Sequence, residues 1–270
     1  MVNVGQMAAL WGVPILMAEL GGWRSAYQLA AIAIVPVLVA WLLFAKENRM
    51  PDHESRLAVP HESGSPIVAA LKRKEFLLLG IGAAGASIPY VAVMTFWPMY
   101  ATQVKGLPLE TVGPILSVVA VGSMIASFIA GVLSDKIGLR KPQPLIAGLL
   151  LPLAYFALLQ FNSIPLLTAV AFLIGFGACI FVPVILTVPF ELKEIKPQEI
   201  AIGIGFMIAL TNAGAALGSQ LAGILIEGLG LYAALAVLCA SPLTLSLCVL
   251  LCAETGPRMR ANPVDARGRQ

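Results

Sequence analysis

Long apolar runs, separated by short polar segments, make up most of this chain. A helix that crosses a lipid bilayer needs about 20 mostly apolar residues, and eight runs approach that length. They occupy approximately residues 2–20, 25–45, 76–101, 111–133, 144–161, 164–190, 200–226 and 231–253. The pattern predicts an all-α integral membrane protein with about eight transmembrane helices.

The composition favours lipid over water as the surrounding solvent. Hydrophobic residues make up 59% of the chain and charged residues 11%, and a soluble domain of this size cannot bury so much apolar surface. The lipid bilayer is therefore an expected partner. The net charge of +3 is too small to indicate a nucleic-acid partner. The four cysteines lie inside apolar runs with no histidine nearby, so we expect no metal site and no cofactor.

The basic residues predict the orientation of the chain in the membrane. When the chain is threaded with its N-terminus inside, one face receives 15 of the 17 Lys and Arg residues. The opposite face receives only Arg24 and Lys105. Because cytoplasmic loops carry an excess of Lys and Arg, we expect both termini to be cytoplasmic in a multi-pass protein of the cell (inner) membrane.

One long polar segment interrupts the apolar pattern. Residues 46–75 are rich in proline, serine and charge, which is typical of a cytoplasmic linker. Within it, residues 65–75 combine a serine cap, a following proline and three basic residues, which predicts a short interfacial helix. The expected segments are a helix pair in 1–45, the linker in 46–75, a six-helix unit in 76–253 and a basic tail in 254–270.

A charged turn lies between the fourth and fifth predicted helices. Its sequence over residues 131–141, GVLSDKIGLRK, resembles the signature loop of the major facilitator superfamily, G-x-L-[SA]-D-[RK]-x-G-[RK]-[RK]. Leu139 departs from that pattern and shifts the basic pair by one residue. The resemblance implies a cytoplasmic gate motif, in which Asp135 pairs with a basic group or a helix end and holds one conformation closed. The members of this motif are Gly131, Asp135, Lys136, Gly138, Arg140 and Lys141.

The order of the predicted helices extends the resemblance over nearly the whole chain. Members of this superfamily contain two six-helix halves, joined by a long cytoplasmic loop. The chain resembles the last two helices of the first half followed by a complete second half, so we expect a member truncated at its N-terminus. The segments Gly22-Trp23-Arg24 and Pro189-Phe190-Glu191 also resemble family sequences.

The resemblance implies transmembrane transport of a small solute by alternating access. With four helices absent, the chain is expected to be an incomplete carrier, and another membrane chain that supplies them is one expected partner. The alternative is a non-transporting remnant or a helical membrane interaction protein. An enzyme is disfavoured, because the sequence has no cluster of acids, histidines or thiols near a membrane surface.

Polar side chains near the middle of the predicted spans are the candidate solute ligands, since an unpaired polar group is unfavourable in hydrocarbon. Their helices line the cavity in the superfamily, and interhelical hydrogen bonding is the alternative role for each. No Asp, Glu, Lys, Arg or His lies at this depth, which disfavours a strongly charged solute in this half. The candidates for substrate binding are Tyr90, Thr95, Ser123 and Asn212.

Small residues at a spacing of four predict close packing between membrane helices. Trp97 and Tyr100, near the end of the third span, fit either the rim of a cavity or an aromatic belt at the membrane surface, and the belt is favoured. The two small-residue stripes are Ser123, Ser127 and Gly131, and Gly214, Gly218 and Ala222.

Overall fold

The computed structural model describes residues 22–44, 73–192 and 195–256, together with Gly12. Over these residues the chain forms nine α-helices and no strand. In chain order the helices are α1 (Trp23–Phe44), α2 (Lys74–Gln103), α3 (Leu109–Ile137), α4 (Pro142–Gln160), α5 (Ile164–Ile180), α6 (Val182–Glu191), α7 (Pro197–Leu229), α8 (Leu231–Leu238) and α9 (Leu243–Leu251).

Six segments of the described chain are long and apolar enough to cross a bilayer. Four are the single helices α2, α3, α4 and α7, and the other two are the pairs α5–α6 and α8–α9. The first pair is interrupted at Phe181 and the second at residues 239–242. Pro183 and Pro242 lie at these interruptions. Proline has no amide hydrogen, so it cannot continue the helical hydrogen bonding there. The six spans predicted between residues 76 and 253 are confirmed.

The predicted total of eight spans is not established. α1, of 22 residues, coincides with the predicted 25–45 span. The predicted 2–20 span lies outside the described residues except for Gly12. Most of the predicted interfacial helix, and the tail beyond residue 256, also lie outside them.

Helices α2 and α7 pack against each other along their lengths and run in the same direction. A Cβ atom at Gly214 would lie 2.4 Å from the Ala84 carbonyl oxygen, and one at Gly218 would lie 2.3 Å from the Ile88 carbonyl oxygen. Side-chain carbons cannot approach so closely, so glycine is required where the two backbones meet. The predicted stripe of Gly214, Gly218 and Ala222 is confirmed as a packing surface, since Ala222 is also fully buried.

Helices α3 and α5 form a second close pair. A Cβ atom at Gly175 would lie 1.9 Å from the Val119 carbonyl oxygen, and the Ser123 hydroxyl donates to the Gly175 carbonyl at 3.1 Å. The Ser127 hydroxyl donates to its own helix instead. Gly131 is exposed, with no described atom within 4 Å of the position that its Cβ would take. The predicted stripe is therefore wrong at Gly131, because the α3–α5 contact ends before that residue.

The six spans have two ends, named here after the loop cation that each contains. The Arg140 end holds the starts of α2, α4 and α7 and the final residues of α3, α6 and α9, and the Lys105 end is the opposite one. The described basic residues of this unit segregate between the ends as the sequence predicts. Arg73, Lys74, Lys136, Arg140, Lys141 and Lys196 lie at the Arg140 end, and Lys105 lies at the other.

At the Lys105 end, three side chains donate hydrogen bonds to the last carbonyls of α4. Lys105 Nζ donates to the Leu158 oxygen at 3.0 Å and to the Phe161 oxygen, and Trp97 Nε1 donates to Leu158 at 3.4 Å. The Tyr100 hydroxyl donates to the next carbonyl along, at 3.2 Å. Trp97 and Tyr100 are buried at 0% and 5% exposure, so the aromatic-belt prediction is wrong. Burial also lowers the pKa of Lys105, because its ammonium group is partly removed from water.

Candidate functional site

The polar turn between α3 and α4 is shaped by a glycine and a proline. Gly138 follows the end of α3 with a φ of 70°, a left-handed conformation that residues with side chains rarely adopt. Its amide donates to the Ser134 carbonyl at 2.9 Å and closes the helix. Pro142 begins α4, where its missing amide hydrogen has no intrahelical partner to lose. The chain therefore reverses in four residues and presents Arg140 at the bend.

Arg140 is the centre of an ion-pair cluster at this turn. Its guanidinium Nη2 lies 2.6 Å from Glu191 Oε1, and its Nε lies 3.0 and 3.2 Å from the two Glu191 oxygens. Its Nη1 lies 3.0 Å from Asp135 Oδ1 and 2.5 Å from Ser134 Oγ. The Arg140 and Glu191 side chains are only 10% and 13% exposed, whereas Asp135 is 70% exposed. The bidentate contact with Glu191 is therefore the stronger one.

The surroundings of Arg140 keep it positively charged. Hydrogen bonding to Glu191 is the main cause that raises the pKa of Arg140 above its ordinary value, against a smaller opposing effect of burial. The guanidinium is thus a fixed cation that ties the end of α6 to the α3–α4 turn.

Glu254, just beyond α9, joins a third segment to the same turn. Its Oε1 accepts the Arg140 amide at 2.6 Å, and its Oε2 accepts the Lys141 amide at 3.3 Å. Oε1 also accepts the amides of Thr255 and Gly256, at 3.2 and 3.3 Å. A carboxylate at the start of a helix is favourable, because the first amides of α4 point outward and carry partial positive charge.

A cavity of about 250 Å³ lies between α2, α7 and the α5–α6 interruption. It is lined by α2 from Ala83 to Tyr90, by α7 from Met207 to Asn212, and by residues on both sides of Phe181. All three segments lie near the middle of their spans. No charged residue belongs to the described lining, and its surface is mostly aliphatic and aromatic. The cavity is therefore an uncharged, mid-depth space at the point where a helix is broken.

A sequence profile of the Major Facilitator Superfamily matches residues 1–192 and, in a second alignment, residues 110–269. The two matches together cover the chain up to residue 269. The chain belongs to the Major Facilitator Superfamily. The resemblance of the chain to that family is thereby confirmed, and a role in secondary transport follows at the level of the family. A comparison with curated proteins gave no significant match.

Only some residues of the predicted gate motif contact one another in the structure. Arg140 is the hub, Asp135 contacts it from the solvent side, and Gly138 forms the turn. Lys141 donates its amide to Glu254 and its ammonium to the Leu250 carbonyl at 3.4 Å. The Gly131 and Lys136 positions are exposed and lie outside the described cluster. The described partner of Asp135 belongs to its own turn.

The four predicted substrate ligands occupy three different environments. Tyr90 and Asn212 line the cavity. Ser123 is buried at 2% exposure and donates to Gly175 on the neighbouring helix, which is the alternative role that the sequence left open. Thr95 is exposed and outside the cavity lining, because it lies on a different face of α2 from Tyr90. Only Tyr90 and Asn212 are therefore placed to contact a solute there.

Several functional candidates were missed from the sequence. Glu191 closes an apolar span on the face that collects basic residues, and this is the signal that points to an ion pair there. Glu254 had a weaker signal, since its role depends on how the segment after α9 returns to the α3–α4 turn. Cys179 lines the cavity, but nothing local in the sequence separates it from other apolar-run residues.

A buried tyrosine lies behind the cavity wall. Tyr155 on α4 is 0% exposed, and its hydroxyl has no hydrogen-bond partner within the described chain. It interacts electrostatically with Tyr90 and Cys179. An unpaired buried hydroxyl is unfavourable by about 1–3 kcal/mol, so the polar edge of this buried region is not fully satisfied by the described residues.

The described residues offer no metal centre, since no group of three or more His, Cys, Asp or Glu side chains comes together among them. The four cysteines are free thiols, and three of them, Cys239, Cys248 and Cys252, are buried. Cys179 is half-buried at the cavity wall, which makes it a native chemical reporter for access to that space.

Proposed function

We propose that this superfamily member transports a small solute by alternating access, with the cavity between α2, α5–α6 and α7 as part of the solute site. The observation that carries the proposal is the position of the cavity at mid-depth, beside a helix break and above an ion-paired turn. In secondary transporters, broken helices and mid-membrane sites accompany the movement of one helix bundle against another. The solute is proposed to contact Tyr90 and Asn212.

The Arg140 cluster supports a reversible closure at one end of this path. Glu191 ends α6, which begins at the cavity wall, so the Arg140–Glu191 contact connects the turn to a helix that lines the cavity. Ionic partners near a membrane surface can be rehydrated when they separate, so the contact can open without leaving buried charge. A difference of about 1–3 kcal/mol between two conformations shifts their populations substantially.

We also propose that the protein lies in the cell (inner) membrane, with its Arg140 end facing the cytoplasm. The support is the excess of Lys and Arg at that end. A reporter active only in the cytoplasm, fused after residue 270, is expected to be active. An inactive reporter with an intact fusion protein would reverse the orientation.

Two-sided access to Cys179 tests the transport cycle. The full chain is placed in sealed vesicles of known orientation, and a charged, membrane-impermeant methanethiosulfonate is added to one face at a time. Alternating access predicts modification of Cys179 from either face, because each conformation opens the cavity to one side. Cys179→Ser is the matched control, since the three other native thiols are buried.

Modification from one face alone, unchanged when the Arg140 cluster is disrupted, would contradict the proposal. That result describes a static pocket and favours the helical membrane interaction protein instead. Protein in the vesicle membrane must be quantified in both cases, so that a failure of insertion is not mistaken for a closed cavity.

A further inference from the structure

The directions of the cavity helices give the cavity two chemically different poles. α2 and α7 run from the Arg140 end towards the Lys105 end, and α5–α6 runs the opposite way. On α7, Met207 and Ile208 therefore lie nearer the Arg140 end than Thr211 and Asn212 do. Asn212 has the most polar side chain among the α7 residues that line the cavity.

The other two helices repeat the same arrangement. On α2, Ala83 lies nearer the Arg140 end and Tyr90 nearer the Lys105 end. On α5–α6 the order of numbering is reversed, so Cys179 lies towards the Lys105 end and Ile185 and Leu186 towards the Arg140 end. Three helices of unrelated sequence thus agree. We call Tyr90, Cys179, Thr211 and Asn212 the polar pole, and Ile185, Leu186, Met207 and Ile208 the apolar pole.

The polar pole has a small hydrogen-bonding capacity. The Thr211 hydroxyl donates to the Met207 carbonyl at 2.8 Å, and the nearby Ser87 hydroxyl donates to the Ala83 carbonyl at 2.9 Å. These two hydroxyls retain only acceptor capacity towards a solute. The Asn212 amide has both donors and an acceptor, so it is the most versatile group of the pole.

The cavity has room for a small solute, and it is open on the side where Val182, Ile208 and Asn212 are exposed. A dry apolar cavity of about 150 Å³ accepts a benzene molecule. The present cavity, at about 250 Å³, therefore suits a solute of roughly two fused rings. A solute with many hydroxyl groups would leave most of them unpaired against the apolar pole, which is unfavourable.

We propose that the cavity binds an uncharged, amphipathic solute with its polar group at the polar pole and its apolar body between Ile185, Leu186 and Met207. This inference rests on the proposed transport function and specifies the substrate class of the same site. The position of Tyr155 supports this orientation of the solute. The Tyr155 hydroxyl has no hydrogen-bond partner within the described chain and interacts electrostatically with Tyr90 and Cys179, two members of the polar pole.

Protection of Cys179 by small probes tests the proposal. The full chain in lipid nanodiscs is treated with N-ethylmaleimide in the presence of 2-naphthol, naphthalene-2-sulfonate or glucose. The probes share a ring size or a hydroxyl, but only 2-naphthol is both uncharged and amphipathic. We expect 2-naphthol to slow alkylation of Cys179, and the other two to have no effect at the same concentration.

Two matched variants separate site binding from dissolution in the lipid. Asn212→Leu keeps the side-chain volume and removes the hydrogen-bonding groups, so it should weaken protection by 2-naphthol by roughly tenfold, as expected for one lost hydrogen bond. Thr95→Val makes a similar change outside the cavity and should have no effect. Equal protection of both variants would assign the effect to the lipid and overturn the proposal.

The outcomes also distinguish the inference from the proposed function. Protection by glucose or by the sulfonate, or by none of the three probes, overturns the substrate class and leaves the two-sided access experiment unaffected. Specific protection by 2-naphthol together with one-sided access to Cys179 supports the binding site and contradicts the transport cycle.

Discussion

At the Arg140 end the start of α4 is held by carboxylates, whereas at the Lys105 end its last residues are held by an ammonium and two aromatic donors. Both arrangements complete the unsatisfied backbone groups of one helix. They differ in what else they connect. Arg140 links separate segments through side-chain ion pairs with Glu191 and Asp135, while the opposite cluster fastens α2 directly to the backbone of α4.

This difference indicates which end is able to open. Arg140 and Glu191 are charged side chains at the end of the spans, and both can be hydrated if they move apart together. The Trp97 indole is buried at 0% exposure and has no such replacement for the carbonyl that it contacts, so separation leaves an unpaired donor there. We therefore assign the movable contact to Arg140 and Glu191, and the fixed contact to Trp97 and Tyr100.

Arg140→Ala should have the largest effect on stability. It removes the guanidinium that pairs with the Glu191 carboxylate, which is only 13% exposed. Breaking one side of such a buried pair lowers the free energy of unfolding by about 3 kcal/mol. Reversible denaturant unfolding in mixed micelles measures this change.

Two further variants sharpen the assignment within the cluster. Asp135→Asn should lower the free energy of unfolding by at most about 1 kcal/mol, since the Asp135 side of its pair with Arg140 is solvent-exposed. The double variant Arg140→Gln with Glu191→Gln should lose less than the sum of its single changes, because no unpaired charge remains. A larger loss from Asp135→Asn than from Arg140→Ala would restore Asp135 as the main partner.

The fold was more predictable from the sequence than the Arg140 cluster was. Six apolar runs of bilayer length specify six spans, because hydrophobic length is a local property of the sequence. The basic residues around Arg140 predicted a charged turn for a similarly local reason. The choice of Glu191 over Asp135 as the main partner depends on where α6 ends in space, and no pattern within the turn contains that distance.

The solute site shows the same limit. Tyr90 and Asn212 were singled out by depth alone, and they line the cavity because their helix faces also point to it. Thr95 has a similar depth but another face, and Ser123 is used by the α3–α5 contact. Depth follows from counting along a span, whereas the facing direction of a residue follows from which helices pack together.

Glu254→Gln is expected to have an intermediate effect. The change keeps an acceptor for the Arg140 and Lys141 amides but removes the negative charge at the start of α4, which should lower the unfolding free energy by about 1 kcal/mol. Glu110→Gln is the control, because Glu110 lies exposed in the first turn of α3. An equal loss in both variants would show that Glu254 acts only through the general helix charge.

Lys105→Met should change the unfolding free energy least near neutral pH, by less than about 1 kcal/mol. It should also change how that free energy depends on pH. Because burial lowers the pKa of Lys105 in the folded chain, the unfolded chain binds more protons between that pKa and 10.5. The unfolding free energy of the wild type should therefore rise with pH in this window relative to the variant. The charge of Arg140 persists across the same window, since hydrogen bonding to Glu191 raises its pKa above the ordinary arginine value. Parallel pH profiles for wild type and Lys105→Met would contradict the burial of the ammonium.

We propose that the Arg140 cluster, and not the Lys105 cluster, controls access to the cavity. A test compares the rate at which an impermeant methanethiosulfonate modifies Cys179 from the Arg140 face in wild type, Arg140→Ala and Lys105→Met. We expect an increase on the order of tenfold for Arg140→Ala, from a shift of about 1–2 kcal/mol in the conformational equilibrium, and a rate close to wild type for Lys105→Met. An unchanged rate in Arg140→Ala, or an equal increase in both variants, would contradict it.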